Sequence, residues 1–242
     1  MKRGVLTAAA LALAFVWGLG TATYEVFPYQ LVRSVKNAID GDDGTRDPNL
    51  YVGNRLTLPA TSGDVLWGTR GDIVMVGDSI TAYGRWDEMF PGRKIVNRGI
   101  GGDTIQGVKD RLPAVIAVRP RKAFLMVGVN DAFYRNPNSE ILARYAAVLD
   151  DLKDAGVTVF VQSTLECGDN PVCTVETRDQ IRALNRGLRH LADQRSMLFV
   201  DLNASMSGAG GLKPTYTWDG VHLNGEGYRV WRDILRPHIE PR

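Results

Sequence analysis

Ser79, Asp219 and His222 are the residues of this chain whose types and surroundings suit covalent chemistry. A serine hydroxyl is a weak nucleophile until a neighbouring base takes its proton, and an imidazole works best as that base when a carboxylate orients it. Ser79 stands in Gly77-Asp78-Ser79-Ile80, directly after the apolar run Ile73 to Val76. His222 stands in Trp218-Asp219-Gly220-Val221-His222-Leu223-Asn224, with a carboxylate three residues upstream in a glycine-containing loop. The other two histidines lack such a partner: His190 follows Arg189 in a helical pattern, and His238 follows Pro237 in the tail. Taken singly, Asp78 or Ser79 could equally cap a helix, and a lone histidine is more often structural.

Acyl transfer also needs donors for the negative oxygen that forms on the attacked carbonyl. Two stretches offer them. Asn97-Arg98-Gly99-Ile100-Gly101-Gly102-Asp103-Thr104 places glycine amides ahead of a helix, and Gly128-Val129-Asn130-Asp131 places an asparagine just after an apolar run. By itself the first could be a tight strand-to-helix turn or a phosphate loop, although it lacks both the Gly-x-Gly-x-x-Gly spacing and a following Lys-Ser or Lys-Thr pair. The second could be a turn, and Asp78, Asp103, Asp131 and Asp219 could instead converge on a divalent cation.

All four stretches follow predicted strands or lie in the last loop, which is where open α/β sheets bind their ligands. Five short apolar runs read as strands: Ile73 to Val76, Lys94 to Val96, Ala123 to Val127, Thr158 to Gln162 and Leu198 to Asp201. Helical spacing recurs between them over Thr104 to Val118, over Ser139 to Ala155 with Ser139 as the cap, and over Thr174 to Gln194, and a last helix spans Glu226 to Leu235. This alternation predicts a parallel sheet with helices on both faces.

The 242 residues, 44% of them hydrophobic, suffice for one catalytic domain. Twenty-nine basic and 27 acidic residues leave a net charge of +2, with no dense basic run to follow a phosphate backbone, so nucleic acid is not an expected partner. Lys2 and Arg3 precede an apolar run from Val5 to Gly20, and no acidic residue occurs before Glu25, which has the form of an export signal. Residues 1–24 are expected to act as a cleaved signal peptide or a retained membrane anchor, residues 25–70 as a stalk and irregular lead-in, and residues 71–242 as the domain. Either fate of the leader puts the domain outside the inner membrane. Cys167 and Cys173, the two cysteines, flank a short Gly, Asn and Pro turn, and an oxidising compartment would join them in a disulfide.

Gly77-Asp78-Ser79-Ile80, Gly102, Asn130 and Asp219 with His222 together resemble the SGNH hydrolases, the GDSL esterase and lipase family, over roughly Asp72 to Leu235. The resemblance implies a flavodoxin-like three-layer α/β/α sandwich with a five-stranded parallel sheet of order 2-1-3-4-5. It also implies a serine esterase with Ser79 as nucleophile, His222 as base, Asp219 as its orienting acid, and an oxyanion hole formed by Ser79, Gly102 and Asn130. No cofactor or metal is needed for that chemistry. The Asn97 to Thr104 and Asp219 to Asn224 blocks look most like the acetylhydrolase and sugar O-acetylesterase branch, which makes a small-molecule or glycan ester the expected substrate. Tyr83, Trp86, Phe133, Tyr134, Tyr216 and Trp218 lie near the catalytic loops as candidates for a sugar or acyl platform.

Overall fold

The computed structural model describes residues 68–240. The leader and most of the lead-in lie outside the described residues.

Strand β1 (Ile73–Gly77) is buried throughout, and its side chains alternate between two cores. Ile73 and Met75 face one core with Phe124, Met126 and Phe160, while Val74 and Val76 face the other with Ala123, Leu125, Val159 and Val161. That two-sided burial is why these strands read as unbroken apolar runs. After β1 come α1 (Ser79–Ala82), α2 (Trp86–Met89) and β2 (Ile95–Gly99). Next are α3 (Ile105–Asp110), α4 (Leu112–Ala117), β3 (Lys122–Met126), α5 (Val129–Phe133), α6 (Asn138–Asp154) and β4 (Thr158–Gln162). The chain continues through α7 (Val175–Gln194), β5 (Leu198–Val200), α8 (Asn203–Met206), a short hairpin of β6 (Ser207–Gly208) and β7 (Gly211–Leu212), and α9 (Gly225–Ile239).

The main sheet has five parallel strands in the order β2-β1-β3-β4-β5, as expected. Residues of α1, α2 and α9 pack on one face, among them Ile80, Trp86, Trp231 and Leu235. Residues of α3, α4, α6 and α7 pack on the other, among them Ile105, Val115, Leu149 and Leu188. The chain leaves β1 towards β2 on one side and later returns to β3 on the other, so the crevice of this sheet lies beyond the carboxyl ends of β1 and β3.

Several boundaries differ from the sequence reading for local reasons. Strand β2 continues past Val96 to Gly99, because Asn97 and Arg98 keep the ladder with Met75 and Val76 although they are polar. The helix expected over Thr104 to Val118 is two helices broken at Arg111. Pro113 lacks an N–H, and its ring would collide with the carbonyl four residues back. Ser139 is not the cap of α6: the helix starts at Asn138, and the Pro137 carbonyl accepts from the amides of Glu140 and Ile141. Helix α9 runs beyond Leu235, through Pro237, to Ile239, whose side chain is buried in the core.

Candidate active site

Ser79 opens α1 at the carboxyl end of β1, and the Asp78 carboxylate caps that helix by accepting from the Ile80 amide at 3.0 Å. Of the two capping candidates in Gly77-Asp78-Ser79, Asp78 is the cap and Ser79 is the first residue of the helix. Three other elements terminate this four-residue helix. Tyr228 of α9 donates its hydroxyl to the Ile80 carbonyl at 2.6 Å, and Trp86 donates its indole N–H to the Thr81 carbonyl at 2.9 Å. The side-chain nitrogen of Asn97 lies 3.2, 3.0 and 3.1 Å from the carbonyls of Thr81, Ala82 and Gly84. Side chains thus satisfy carbonyls that so short a helix cannot pair internally.

Ser79 Oγ is 2.9 Å from His222 Nε2, and His222 Nδ1 is 2.7 Å from Asp219 Oδ2. Residues 143 apart in sequence are joined into one chain of hydrogen bonds. The loop carrying the acid and the imidazole is built to hold them. Asp219 Oδ1 accepts from the amides of Val221 at 2.9 Å and His222 at 2.7 Å, and the Thr217 hydroxyl donates to the His222 carbonyl at 2.6 Å. Burial acts to raise the Asp219 carboxyl, and the hydrogen bonds it accepts from His222 and Val221 outweigh that effect and hold it below its ordinary range. Gly220 turns the loop with φ +83°, and a Cβ there would stand 2.2 Å from the Asp169 carbonyl oxygen.

That oxygen belongs to the loop closed by the Cys167–Cys173 disulfide, which is formed as expected. The same loop donates the Gly168 amide to the Gly220 carbonyl at 2.7 Å and the Asn170 side-chain amide to the Asp219 carbonyl at 2.7 Å.

Asn130 lies on α5, just after β3, and its side-chain nitrogen donates to the Asp103 carbonyl at 2.9 Å. Gly102 directly precedes Asp103 and adopts φ +74°, in a turn where the Asp103 amide donates to the Ile100 carbonyl at 3.2 Å. Asn130 and the Gly102 turn are thus brought together through Asp103, beside the end of β1.

The aromatic candidates separate into two groups. Tyr83 and Trp218 are exposed and flank His222, with ring centroids 5.3 and 5.6 Å from the imidazole, and Trp218 lies nearly parallel to it. Tyr134 is also exposed. Trp86 is not part of a platform, since it is buried edge-on against Trp231; Phe133 and Tyr216 pack on the same core.

The aspartates considered as cation ligands do other work. Asp103 is paired with buried Arg111, and Asp131 accepts from the Ile105 amide at 3.0 Å and the Asn136 side chain at 3.3 Å. Among the described residues no group of three or more His, Cys, Asp or Glu is arranged to hold a metal ion. Burial raises the carboxyl of Asp78 to about 7 and that of Asp131 to about 6. Sequence reasoning missed Asn97, Arg111, Asn170 and Tyr228 as parts of this site. Pro113 was the available signal that the helix bends at Arg111, whereas nothing local to Asn170 or Tyr228 marks them.

Comparison with known proteins agrees with the geometry. The acetylxylan esterase of Geobacillus stearothermophilus is 26% identical over 208 residues, covering 77% of this chain and 91% of that protein. The platelet-activating factor acetylhydrolase IB subunit alpha2 of Rattus norvegicus is 26% identical over 166 residues, covering 65% of this chain and 71% of that protein. The crystal structure of a GDSL-like lipase from Bacteroides thetaiotaomicron, at 23% identity, superposes with a TM-score of 0.67 over 76% of this chain and 97% of its own, which speaks to the fold. The family profile of the GDSL-like lipases and acylhydrolases matches residues 75–230, well over half of the chain, and the protein therefore belongs to that family of serine esterases, the SGNH hydrolases.

Proposed function

We propose that this protein is an exported serine esterase that removes acetyl and other short acyl groups from O-esters, with carbohydrate as the alcohol. The observation that carries the chemistry is the Ser79, His222 and Asp219 chain at 2.9 and 2.7 Å. His222 Nε2 takes the Ser79 hydroxyl proton as Oγ attacks the ester carbonyl, and Asp219 stabilises the imidazolium that forms. The amides of Ser79 and Gly102 and the Asn130 side chain hold the resulting oxyanion. Asn130 has two N–H bonds; the one given to Asp103 orients the amide, and the second serves the oxyanion. His222 then protonates the departing alcohol. Water, activated by the same imidazole, attacks the acyl-serine, releases the acid and returns the proton to Ser79.

The names of both relatives, one acting on acetylxylan and one on platelet-activating factor, concern acetyl groups, which supports a small acyl pocket. Exposed Tyr83 and Trp218 beside His222 support a flat, ring-shaped alcohol on the leaving-group side. The basic and apolar leader supports export, and a disulfide suits an oxidising compartment. The test is kcat/KM for p-nitrophenyl esters from acetate to decanoate, below their micelle-forming concentrations. Rates falling with chain length uphold the reading. A rise through octanoate, with about 0.8 kcal/mol gained per buried methylene, would instead identify a lysophospholipase or thioesterase.

A further inference from the structure

We infer that Arg111 is a positioning residue of the oxyanion site: its guanidinium grips the Asp103 carboxylate and the Gly77 carbonyl together, and so sets the Gly102 amide and the Asn130 side chain relative to Ser79. The inference rests on the ester-hydrolysis reading above and adds a residue to it that makes no contact with substrate. Asp103 is the hub. Its Oδ2 lies 2.8 Å from both Arg111 Nε and Nη2, its Oδ1 accepts from the Thr104 amide at 3.1 Å, and its carbonyl receives the Asn130 side chain at 2.9 Å. The Gly102 amide is one residue upstream. Arg111 Nη2 also donates, at 3.1 Å, to the carbonyl of Gly77, the last residue of β1 and two residues before Ser79. One side chain therefore ties the strand that carries the nucleophile to the turn that carries the Gly102 amide and receives the Asn130 side chain.

Burial makes the tie stiff. Arg111 is 3% exposed and Asp103 is fully buried, and Arg111 is the only arginine or lysine among the described residues buried to this degree. Its backbone position is set by the break that Pro113 imposes between α3 and α4, which brings Arg111 to the junction of the two helices. A buried ion pair adds little to stability compared with apolar side chains of the same volume, so its geometric effect is the stronger reason for its presence here. Displacing an oxyanion donor by about 1 Å costs roughly a hundredfold in rate.

The test compares the full-length wild type with Arg111→Met and Arg111→Lys on p-nitrophenyl acetate, with near-ultraviolet circular dichroism as the check on folding. Arg111→Met should lose about 10²- to 10³-fold in kcat with KM within about threefold of wild type. Its affinity for a trifluoromethyl ketone, which becomes tetrahedral at the active site, should fall by a similar factor. Arg111→Lys, which keeps the charge and can reach one of the two acceptors, should recover at least about tenfold of the loss. A folded Arg111→Met with kcat near wild type, a change confined to KM, or equal activity in the Met and Lys variants would overturn the inference. If Arg111→Met does not fold, Arg111→Lys decides: lower kcat at unchanged KM upholds the role, and unchanged kcat refutes it. Wild type that hydrolyses no ester overturns the hydrolase reading and this inference together, whereas an active wild type with an unimpaired Arg111→Met overturns this inference alone.

Discussion

Asn170 donates its side-chain amide to the backbone carbonyl of Asp219 at 2.7 Å, so the disulfide loop is tied to the loop that carries Asp219 and His222. The Gly168 amide makes the same kind of bond to Gly220. Closing so short a loop should contribute only about 2 kcal/mol to stability through the unfolded state. The Cys167→Ser, Cys173→Ser double variant should therefore remain folded and yet lose about tenfold in kcat, because the Asp219 loop is less firmly held. Thermal melting and p-nitrophenyl acetate turnover measure the two effects, and a folded variant with unchanged kcat would count against the brace.

Replacement within the hydrogen-bonded chain itself should be far more severe. Ser79→Ala is expected to abolish turnover and labelling by a fluorophosphonate probe while leaving the melting temperature nearly unchanged. His222→Ala should fall almost as far, because the two residues act as a unit. Asp219→Ala should retain more activity, since the imidazole that lies 2.9 Å from Ser79 with Asp219 in place can still act when it is less well oriented. Ester hydrolysis by Ser79→Ala at the wild-type rate would sink the assignment.

Asn130→Ala should lower kcat by about 10²- to 10³-fold with a much smaller change in KM, the pattern of a donor that works mainly in the transition state. Steady-state kinetics on acetate esters is sufficient to check it. A loss confined to KM would place Asn130 in ground-state binding instead.

Trp218→Ala separates two roles for the exposed indole stacked 5.6 Å from His222. If the ring carries the sugar, KM for acetylated xylo-oligosaccharides should rise about tenfold while kcat/KM for ethyl acetate stays within a factor of about three. Equal losses on both substrates would mean that Trp218 acts through the imidazole and not on the alcohol. Tyr83→Ala should shift the same ratio in the same direction.

The buried carboxyls give stability a definite dependence on pH. Burial raises Asp78 from an ordinary 3.8 to about 7, and Asp131 likewise to about 6, so between about pH 4 and 7 the folded protein holds protons that the unfolded chain has released. Their contribution is fully present below the unfolded value and is lost as pH rises through the folded one. Unfolding free energy should decline from pH 5 to 8, by on the order of 3 kcal/mol for Asp78 alone. Asp78→Asn retains an oxygen to accept from the Ile80 amide and should flatten that decline. Urea unfolding across this range is the measurement, and a variant with an undiminished slope would refute the assignment to Asp78.

The residues of this candidate site were legible in the sequence because each sits in a short local pattern. Ser79 and Asn130 each follow, within three residues, an apolar run that suits a strand buried on both faces, and Asp219 lies within reach of His222 by chain connectivity alone. The strands β1, β3 and β4 were equally legible, since burial on both faces leaves a run of apolar residues that turn residues interrupt. What holds those groups at working distances was not legible. Asn97 looked like the residue after a strand and is a strand residue whose side chain terminates α1, because the ladder with β1 overrides its polarity. Trp86 looked like a surface aromatic and is core, since α9 comes back across the sheet and covers it with Trp231. Arg111 and Asn170 lie 32 residues beyond Ser79 and 49 residues before Asp219, and no periodicity in one dimension relates them to the residues they position. Their roles exist only once the sheet brings the ends of β1, β2 and β3 side by side and the last loop is laid over the disulfide.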